Sequence, residues 1–383
     1  MKITIFETEH FESAFPVITF FDLPDNEIQI ISTPEIVPML QAMLGKNSSR
    51  YQWTTLSMEN GRTSFFFTLY RAVKHFNTEL FFLSTVSSNH LLHSMVIRML
   101  PNMRTILTVH AINGLFSPLR GSRFRKMIRY IGKKRLVSAI KEYNVISDTL
   151  IPRLSQVCDR CRIHQIPGAI FQGTPSNNSI NDHIHLVIAG SIDKNRRNYS
   201  QCFELLKLAE QQSFPLHITL FGGSNTDYGN MVIQRARQYA GRVTKIFCFE
   251  EPQLSQTIFD SVLNRAHFIF IPSVISTIDD ETPEIYGKTK SSGNVFDAVR
   301  HAKPMIIPLE LNVPSNLETG CFKYVYVEDI IGLFQTILQQ PSIYERLQEE
   351  AFKNSSEYSL EKIRAANNSL LSNKQEKHVT IQS

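Results

Sequence analysis

The sequence has few cysteines and no long apolar stretch. Its five cysteines in 383 residues form no regular pattern, which argues against a disulfide framework and is typical of a reducing cytosol. Cys158 and Cys161 form a CxxC, but without a second pair or a nearby histidine cluster we expect no metal or redox site. Apolar runs such as Leu80 to Leu83 are far shorter than the roughly 20 residues that span a bilayer. Because Met1 to Phe6 indicates a strand rather than a cleavable signal, we expect a cytoplasmic protein.

Acidic residues are absent from one long segment. No Asp or Glu occurs from Leu80 to Lys141, whereas eleven Arg and Lys residues do. Within it, Arg120 to Arg135 places apolar side chains at the spacing of one helical face, flanked by cations: Phe124, Met127, Ile128 and Ile131. Such a helix would lie peripherally on an anionic membrane if the face is exposed, or pack on a sheet with a solvated basic rim. Few aromatics and no nucleic-acid module argue against nucleic-acid binding.

Apolar strands alternate with helical segments along most of the chain. This alternation predicts an α/β protein with two Rossmann-like domains, each an open parallel sheet with helices on both faces. We predict a first domain at 1–172, a polar linker at 173–182, a second domain at 183–340, C-terminal helices at 341–371 and a disordered tail at 372–383. The last strand is expected at 324–327, followed by helical segments at 330–339 and from 343 to about 371.

The stretch from Phe268 to Pro308 organises the second half. It predicts a strand, a polar loop, a helix that begins near Ser291 to Gly293, and a second strand. This is one βαβ unit, and parallel sheets bind ligands beyond the carboxyl ends of their strands. The loop therefore faces the expected ligand.

Residues around that helix start suit a nucleotide. Lys288 and Lys290 precede Ser291, Ser292 and Gly293, whose small side chains allow a phosphate to approach the backbone N–H groups of a helix N-terminus. Asp297, one helical turn later, can accept hydrogen bonds from a ribose diol. An ordinary surface loop with solvated lysines and a serine N-cap is the alternative.

A second basic loop follows the first strand of the second half, from Gly190 to Tyr199. Its Arg196 and Arg197 lie at the same predicted sheet edge as Lys288 and can engage phosphate through two hydrogen bonds each. A solvated basic turn is the alternative. Two cationic loops at one edge favour a shared anionic ligand.

Two α/β halves with a late nucleotide-type loop resemble the glycosyltransferases of the GT-B fold. Retaining nucleotide-sugar transferases of this fold carry E-x-F-G, four residues, then E-A-M-A-x-G-x-P-V. Here Glu284 to Gly287 resembles the front of that motif and Asp297 to Met305 its back, with Asp in place of the second Glu and about five extra residues between. The resemblance implies a ribose contact for Asp297, a sugar contact for Glu284, and diphosphate contacts for Gly190 and the basic residues after it.

The resemblance also extends to the first half. Thr108-Val109-His110 is similar to a T-x-H in these enzymes, whose histidine touches the donor sugar or the reacting centre, although a lone histidine at a strand end is more often structural. Glu9 and His10 lie where the fold places acceptor-binding groups and, in inverting members, a general base. The usual Gly-rich form of this loop is absent.

Together these observations predict a glycosyltransferase that moves a sugar from a nucleoside-diphosphate sugar to an acceptor. A lipid-linked saccharide in bacterial surface-polysaccharide assembly is the expected acceptor, reached at the inner face of the membrane. No metal cofactor is expected: there is no D-x-D, and the acidic run Asp279-Asp280-Glu281 lies before the motif. A nucleotide-sugar epimerase of the same fold and an inert GT-B-like membrane scaffold remain the alternatives.

Overall fold

The computed structural model describes residues 1–59, 61–119, 124–173, 178–180, 182–224, 226–249 and 255–371. These residues form two parallel α/β sheets, which confirms the predicted architecture. Part of the predicted linker (174–177 and 181), the first four residues of the basic segment (120–123) and the predicted tail (372–383) lie outside the described residues.

The first half contains seven strands in the order β3-β2-β1-β4-β5-β6-β7, all paired in parallel. The strands are β1 (Lys2–Phe6), β2 (Glu27–Ser32), β3 (Gln52–Thr55), β4 (Leu80–Leu83), β5 (Arg104–Thr108), β6 (Glu142–Asn144) and β7 (Arg162–His164). The helices are α1 (Phe11–Phe21), α2 (Ile36–Leu44), α3 (Arg62–His75), α4 (His90–Met99), α5 (Ile112–Phe116), α6 (Phe124–Ala139) and α7 (Ile151–Val157), with short 3₁₀ turns at Gly45–Arg50 and Asp148–Leu150.

The second half follows the same alternation. Its strands are β8 (Ile184–Ala189), β9 (Leu216–Phe221), β10 (Thr244–Cys248), β11 (Phe268–Phe270), β12 (Ser276–Asp279), β13 (Thr282–Ile285), β14 (Met305–Pro308) and β15 (Cys321–Tyr324). Six of them form a parallel sheet in the order β10-β9-β8-β11-β14-β15. The helices are α8 (Tyr199–Gln211), α9 (Asp227–Arg237), α10 (Gln256–Arg265), α11 (Gly293–His301), α12 (Val327–Gln339), α13 (Ser342–Ser356), α14 (Leu360–Ala366) and α15 (Asn368–Leu371), with a 3₁₀ turn at Ser315–Gly320.

Each sheet lies between two layers of helices, because its strands carry apolar side chains on both faces. In β4 all four residues are buried, and Phe82 packs with α1 and α2 whereas Phe81 and Leu83 pack with α3, α4 and α6. A strand that is apolar on both faces cannot expose either face to solvent, so helices must cover both sides. This burial leaves the strand ends and their loops to carry polar residues.

The prediction of a polar loop after β11 was wrong in part, because this segment contains an antiparallel hairpin. Strands β12 and β13 pair from Ser276 opposite Ile285 to Asp279 opposite Thr282. Asp280 and Glu281 turn the chain with φ of 47° and 64°, a left-handed conformation that non-glycine residues adopt mainly in turns. Acidic residues at the tip hid the short alternating pattern that indicates strands.

The end of the second half also differs from the prediction. The last strand is Cys321–Tyr324 rather than 324–327, and Val327 begins α12. The Asp329 carboxylate accepts hydrogen bonds from the Val325 and Tyr326 N–H groups, both 2.9 Å, and thereby caps the helix one turn earlier than predicted. The helical segment predicted from 343 to about 371 consists of three helices, because Ser359 caps a new one, α14.

Candidate functional site

The two sheets present their carboxyl ends to a common cleft. Strand order reverses between β1 and β4 in the first sheet and between β8 and β11 in the second, and open α/β sheets bind ligands at such points. A cavity of about 540 Å³ lies there and is lined by residues of both halves. Eleven of the thirteen predicted site residues line it, which supports one shared site: Glu9, His10, His110, Gly190, Arg196, Arg197, Lys290, Ser291, Ser292, Gly293 and Asp297.

The loop after β8 is organised around Arg197. This side chain is only 7% exposed; it donates to the Ser191 carbonyl over 2.8 Å and to the Asn294 side-chain oxygen. Gly190 has a φ of +85°, and a Cβ there would lie 2.8 Å from the Arg197 Nη2. A side chain at position 190 would therefore displace the guanidinium. Arg197 thus fixes the loop from its buried side, and Arg196, whose half-exposed side chain lies 3.4 Å from the Asp193 carboxylate, is the accessible cation of the loop.

The N-terminus of α11 forms the opposite side of this anion site. Ser292 is the N-cap residue, and its side chain accepts no capping hydrogen bond. The first N–H groups of a helix have no intrahelical partner and carry partial positive charge. A Cβ built on Gly293 would have no atom within 4 Å, so open space lies in front of the helix. Lys290 lies beside it in an ion pair with Asp279.

One face of α11 carries residues that the sequence analysis missed. Asn294 donates to the Ala189 carbonyl over 2.8 Å and to the Asp297 carboxylate over 3.2 Å. Burial raises the pKa of Asp297 to about 6. Arg300, one turn further, lies 5.9 Å from the centre of the Phe15 ring in the first half. Asn294, Asp297 and Arg300 are spaced by three residues, which places them on one face of a helix. This spacing is the sequence signal from which Asn294 and Arg300 could have been predicted.

The wall in the first half carries two histidines whose pKa values are both lowered. His110 Nε2 lies 3.0 Å from the Ser84 carbonyl, and burial, followed by the charge of His10, lowers the pKa of His110 to about 4. The His10 ring lies 6.0 Å from it, and its pKa is lowered by burial and by Arg196 and Lys290 of the other half. Neutral imidazoles suit hydrogen bonds to sugar hydroxyls, whereas the cationic wall suits an anion.

Two predicted site residues lie elsewhere. Lys288 is exposed and lies outside the cleft lining. The N–H groups of Lys288, Thr289 and Lys290 all donate to the Ile285 carbonyl in one tight turn. This turn directs Lys290 into the cleft and leaves Lys288 outside it. Glu284 is fully buried, and its Oε1 accepts the Gly114 N–H over 2.7 Å. The structure therefore places Glu284 in the contact between the halves rather than in the cleft.

The acidic run at the tip of the β12–β13 hairpin pairs with cations. Asp279 binds Lys290, Asp280 binds Arg129 and Lys133, and Glu281 binds Lys126, the last three cations all belonging to α6. Within the described part of the chain, no group of three or more His, Cys, Asp or Glu side chains is arranged to hold a metal ion.

The apolar positions of α6 are exposed. Phe124 is 71% exposed, and Met127, Ile128 and Ile131 are also open to solvent. Of the two alternatives from the sequence analysis, an exposed apolar face and a face packed on a sheet, residues 124–135 form the exposed one. None of the helices in the described ranges is long and apolar enough to cross a bilayer.

Comparison with known proteins finds similarity in structure alone. No family model and no curated protein matches the sequence. Among solved structures, the pneumococcal O-GlcNAc transferase GtfA, in complex with UDP and GlcNAc, is similar with a TM-score of 0.62 at 10% identity, over 97% of this chain and 98% of that one. Anabaena HepE, in complex with UDP and glucose, gives a TM-score of 0.61 at 11% identity, over 98% and 100%.

The chain has the GT-B fold. An epimerase shares it: the UDP-GlcNAc 2-epimerase of Neisseria meningitidis, bound to UDP-GlcNAc, is similar with a TM-score of 0.53 at 12% identity, over 93% of this chain and 98% of that one. The GT-B resemblance drawn from the sequence is confirmed at the level of the fold.

Proposed function

We propose that this GT-B protein binds a nucleoside-diphosphate sugar and transfers the sugar to an acceptor. One observation carries the proposal: Arg196, Lys290 and the N-terminus of α11 converge on one side of a cleft whose other side carries His10 and His110. A diphosphate suits the first side and hydroxyl groups suit the second. The similarity to a transferase crystallised with UDP and GlcNAc, and to HepE crystallised with UDP and glucose, supports this interpretation of the cleft.

The chemistry required of the protein is charge neutralisation. Negative charge grows on the diphosphate as its bond to the sugar breaks, and preorganised donors stabilise that charge. Arg196, Lys290 and the first N–H groups of α11 are such donors, with Arg197 holding the loop that presents Arg196. We propose that these groups act without a metal ion, and that the Asp297 carboxylate contacts the ribose.

Thermal unfolding with and without nucleotides tests the donor site. A ligand that binds the native state stabilises it by about 2.7 kcal/mol when present at 100 times its Kd. We expect UDP to raise the Tm and to do so more than uridine, because the cationic wall recognises the diphosphate. Equal shifts with uridine and UDP would contradict recognition of the diphosphate. No shift across a panel of nucleoside diphosphates would contradict the proposal and favour an inert scaffold.

An epimerase is the second candidate, since an epimerase bound to UDP-GlcNAc shares the fold over nearly the whole chain. The two activities differ in their need for an acceptor. Incubation with a bound sugar nucleotide alone, followed by NMR of the sugar, separates them. Conversion to the epimeric sugar nucleotide without a second substrate would establish epimerisation, whereas release of nucleoside diphosphate that depends on added acceptor supports transfer.

We further propose that the acceptor is a lipid-linked saccharide of the kind used in bacterial surface-polysaccharide assembly, reached at the membrane surface. The support is the exposed apolar face of α6, formed by Phe124, Met127, Ile128 and Ile131, with Arg125, Lys134 and Arg135 beside it. Apolar side chains flanked by cations bind the interface of an anionic bilayer. His90 of α4 and Lys133 of α6 also line the cleft, so a membrane-bound acceptor would approach near it.

A further inference from the structure

The β12–β13 hairpin belongs to the second half but pairs its charges with the first. Its two strands form a sheet of their own, apart from the six-stranded sheet. At its tip, the Asp280 carboxylate accepts hydrogen bonds from Arg129 and, over 2.5 Å, from Lys133, and Glu281 accepts one from Lys126. All three cations lie on α6, so the acidic tip joins the two halves.

Neutral hydrogen bonds continue this contact along β13. The Asn113 side-chain amide donates to the Pro283 carbonyl over 3.0 Å, and the Gly114 N–H donates to Glu284 Oε1 over 2.7 Å. Both donors belong to α5 of the first half. The hairpin is therefore held to the first half along its length and not by its charges alone.

The segment that leads into α11 completes the contact through main-chain atoms. The Ile112 N–H donates to the Thr289 carbonyl over 2.8 Å, and the Ser291 N–H donates to the His110 carbonyl over 3.2 Å. These two hydrogen bonds form an antiparallel β-bridge between residues 111 and 290. Separation of the two halves at this side of the cleft must break them.

Helix α6 uses opposite faces for the hairpin and for its exposed apolar side chains. Lys126, Arg129 and Lys133 follow each other at intervals of three and four residues and so share one face. At about 100° per residue, that face lies opposite the apolar one formed by Phe124, Met127, Ile128 and Ile131. The Lys133 side chain is only 7% exposed and that of Asp280 27%. Salt screens a pair this buried less than an open surface pair.

We propose that the β12–β13 hairpin is an electrostatic clasp, whose acidic tip on the cations of α6 holds the two halves against each other beside the cleft. Lys133, Asp280 and Lys290 all line the cleft, so opening of the clasp widens the cleft itself. Loss of the charge pairs leaves only the neutral hydrogen bonds of α5 and the β-bridge to resist separation. The charges at the tip therefore set how often the cleft opens.

Hydrogen exchange of the full-length protein tests the clasp, because the N–H groups of Ile112, Gly114 and Ser291 donate across the contact. Mass spectrometry of fragments covering 110–116 and 289–292 follows them. We expect Asp280→Asn to accelerate exchange in both segments about tenfold, since it removes the carboxylate shared by Arg129 and Lys133. Exchange in β1 and β8, at the centres of the two sheets, should stay as in wild type.

Two results would overturn the proposal. One is unchanged exchange in both segments of Asp280→Asn. The other is an equal acceleration in β1 and β8, which would show that the hairpin supports the whole fold rather than the contact. Glu318→Gln is the matched control, because Glu318 pairs with Lys323 within the second half. It should leave exchange at 110–116 and 289–292 as in wild type.

A charge exchange provides an independent test. Lys126→Glu places two carboxylates opposite each other and should accelerate exchange at the contact, whereas adding Glu281→Lys restores an ion pair of reversed polarity and should slow it again. A double variant that exchanges as fast as Lys126→Glu would count against the clasp.

The wild-type protein itself offers a third measurement, which requires no variant to fold. The Debye length falls from about 10 Å at 0.1 M salt to about 3 Å at 1 M, so exchange at the contact should rise with sodium chloride relative to β1 and β8. A constant ratio would refute the dependence on charge. No ligand is needed, so the outcome is independent of the proposed function.

Discussion

Lys288 and Lys290, separated by one residue, occupy different environments, and this difference gives a matched pair of variants. Lys290 lines the cleft beside the N-terminus of α11, whereas Lys288 is exposed outside it. A hydrogen bond to a charged group contributes about 1.5–3 kcal/mol. We therefore expect Lys290→Ala to weaken UDP binding by about 10- to 100-fold in calorimetry. Lys288→Ala removes the same charge and should leave the affinity unchanged; equal losses in the two variants would contradict the assignment.

Asp297 gives a prediction about pH. Its pKa of about 6 in the folded protein lies above its ordinary value of 3.8, because the carboxyl is buried. The stability associated with the neutral carboxyl is therefore fully present below about pH 4 and is lost as the pH rises through 6. Asp297→Asn does not titrate. Relative to wild type, its free energy of unfolding should improve by about 2 kcal/mol between pH 4 and pH 7. Urea unfolding at both pH values measures this, and a constant difference would refute it.

At the scale of elements, a substitution at the first residue of α11 should change UDP binding and thermal stability in opposite directions. Gly293→Ala places a methyl group in open space, where a phosphate would lie, and alanine is a better helix former than glycine. We expect the Tm to stay the same or rise, with a gain below about 1 kcal/mol, while UDP binding weakens. The control is Gly332→Ala in α12, where a Cβ also meets nothing within 4 Å; it should stabilise the protein without changing the affinity for UDP.

The exposed face of α6 predicts binding to anionic vesicles. Met127→Glu replaces an apolar side chain of that face with a negative charge, and loss of one buried apolar side chain alone weakens binding by about tenfold. We expect sedimentation with phosphatidylglycerol-containing vesicles to fall accordingly. Met231→Glu is the same change at an exposed methionine of α9 in the second half and should have no effect. Recovery of the wild-type protein in the supernatant with and without anionic lipid would contradict membrane association.

At the scale of the whole molecule, the C-terminal helices return to the first half. Arg364 of α14 donates to the carbonyls of Thr19, Phe20 and Asp22 at the end of α1, at 2.9 to 3.0 Å. The Thr19 carbonyl also accepts the Asp22 N–H, so Arg364→Ala chiefly removes the arginine donors from the Phe20 and Asp22 carbonyls and should cost about 2 kcal/mol.

Lys362 provides the comparison for that variant, because its ion pair with Glu357 is half exposed. Such pairs contribute about 0–1 kcal/mol, so Lys362→Ala should shift the urea midpoint only slightly. Similar midpoints for the Lys362 and Arg364 variants would show that α14 does not hold the two halves together.

Much of the fold was predictable because its strands are apolar on both sides and separated by helices of ordinary length. Strand β4 and helix α8 show this: their patterns need no distant partner to be recognised. The β12–β13 hairpin was missed, because its stability comes from α5 and α6 of the other half, through Glu284 on Gly114 and Asp280 on Lys133. Strand β15 was misplaced for a local reason, the Asp329 cap of α12.

By itself the sequence determined the alternation of strands and helices, the placement of basic residues at the carboxyl ends of β8 and before α11, and the basic-apolar pattern of α6. These are local properties, set by periodicity and by the residues that follow each strand. Tertiary structure alone decided that Arg197 is buried under its loop, that Lys288 lies outside the cleft, and that the acidic tip of the β12–β13 hairpin meets the cations of α6. Such contacts join residues far apart in the chain, and no spacing in the sequence encodes which side chain will face which.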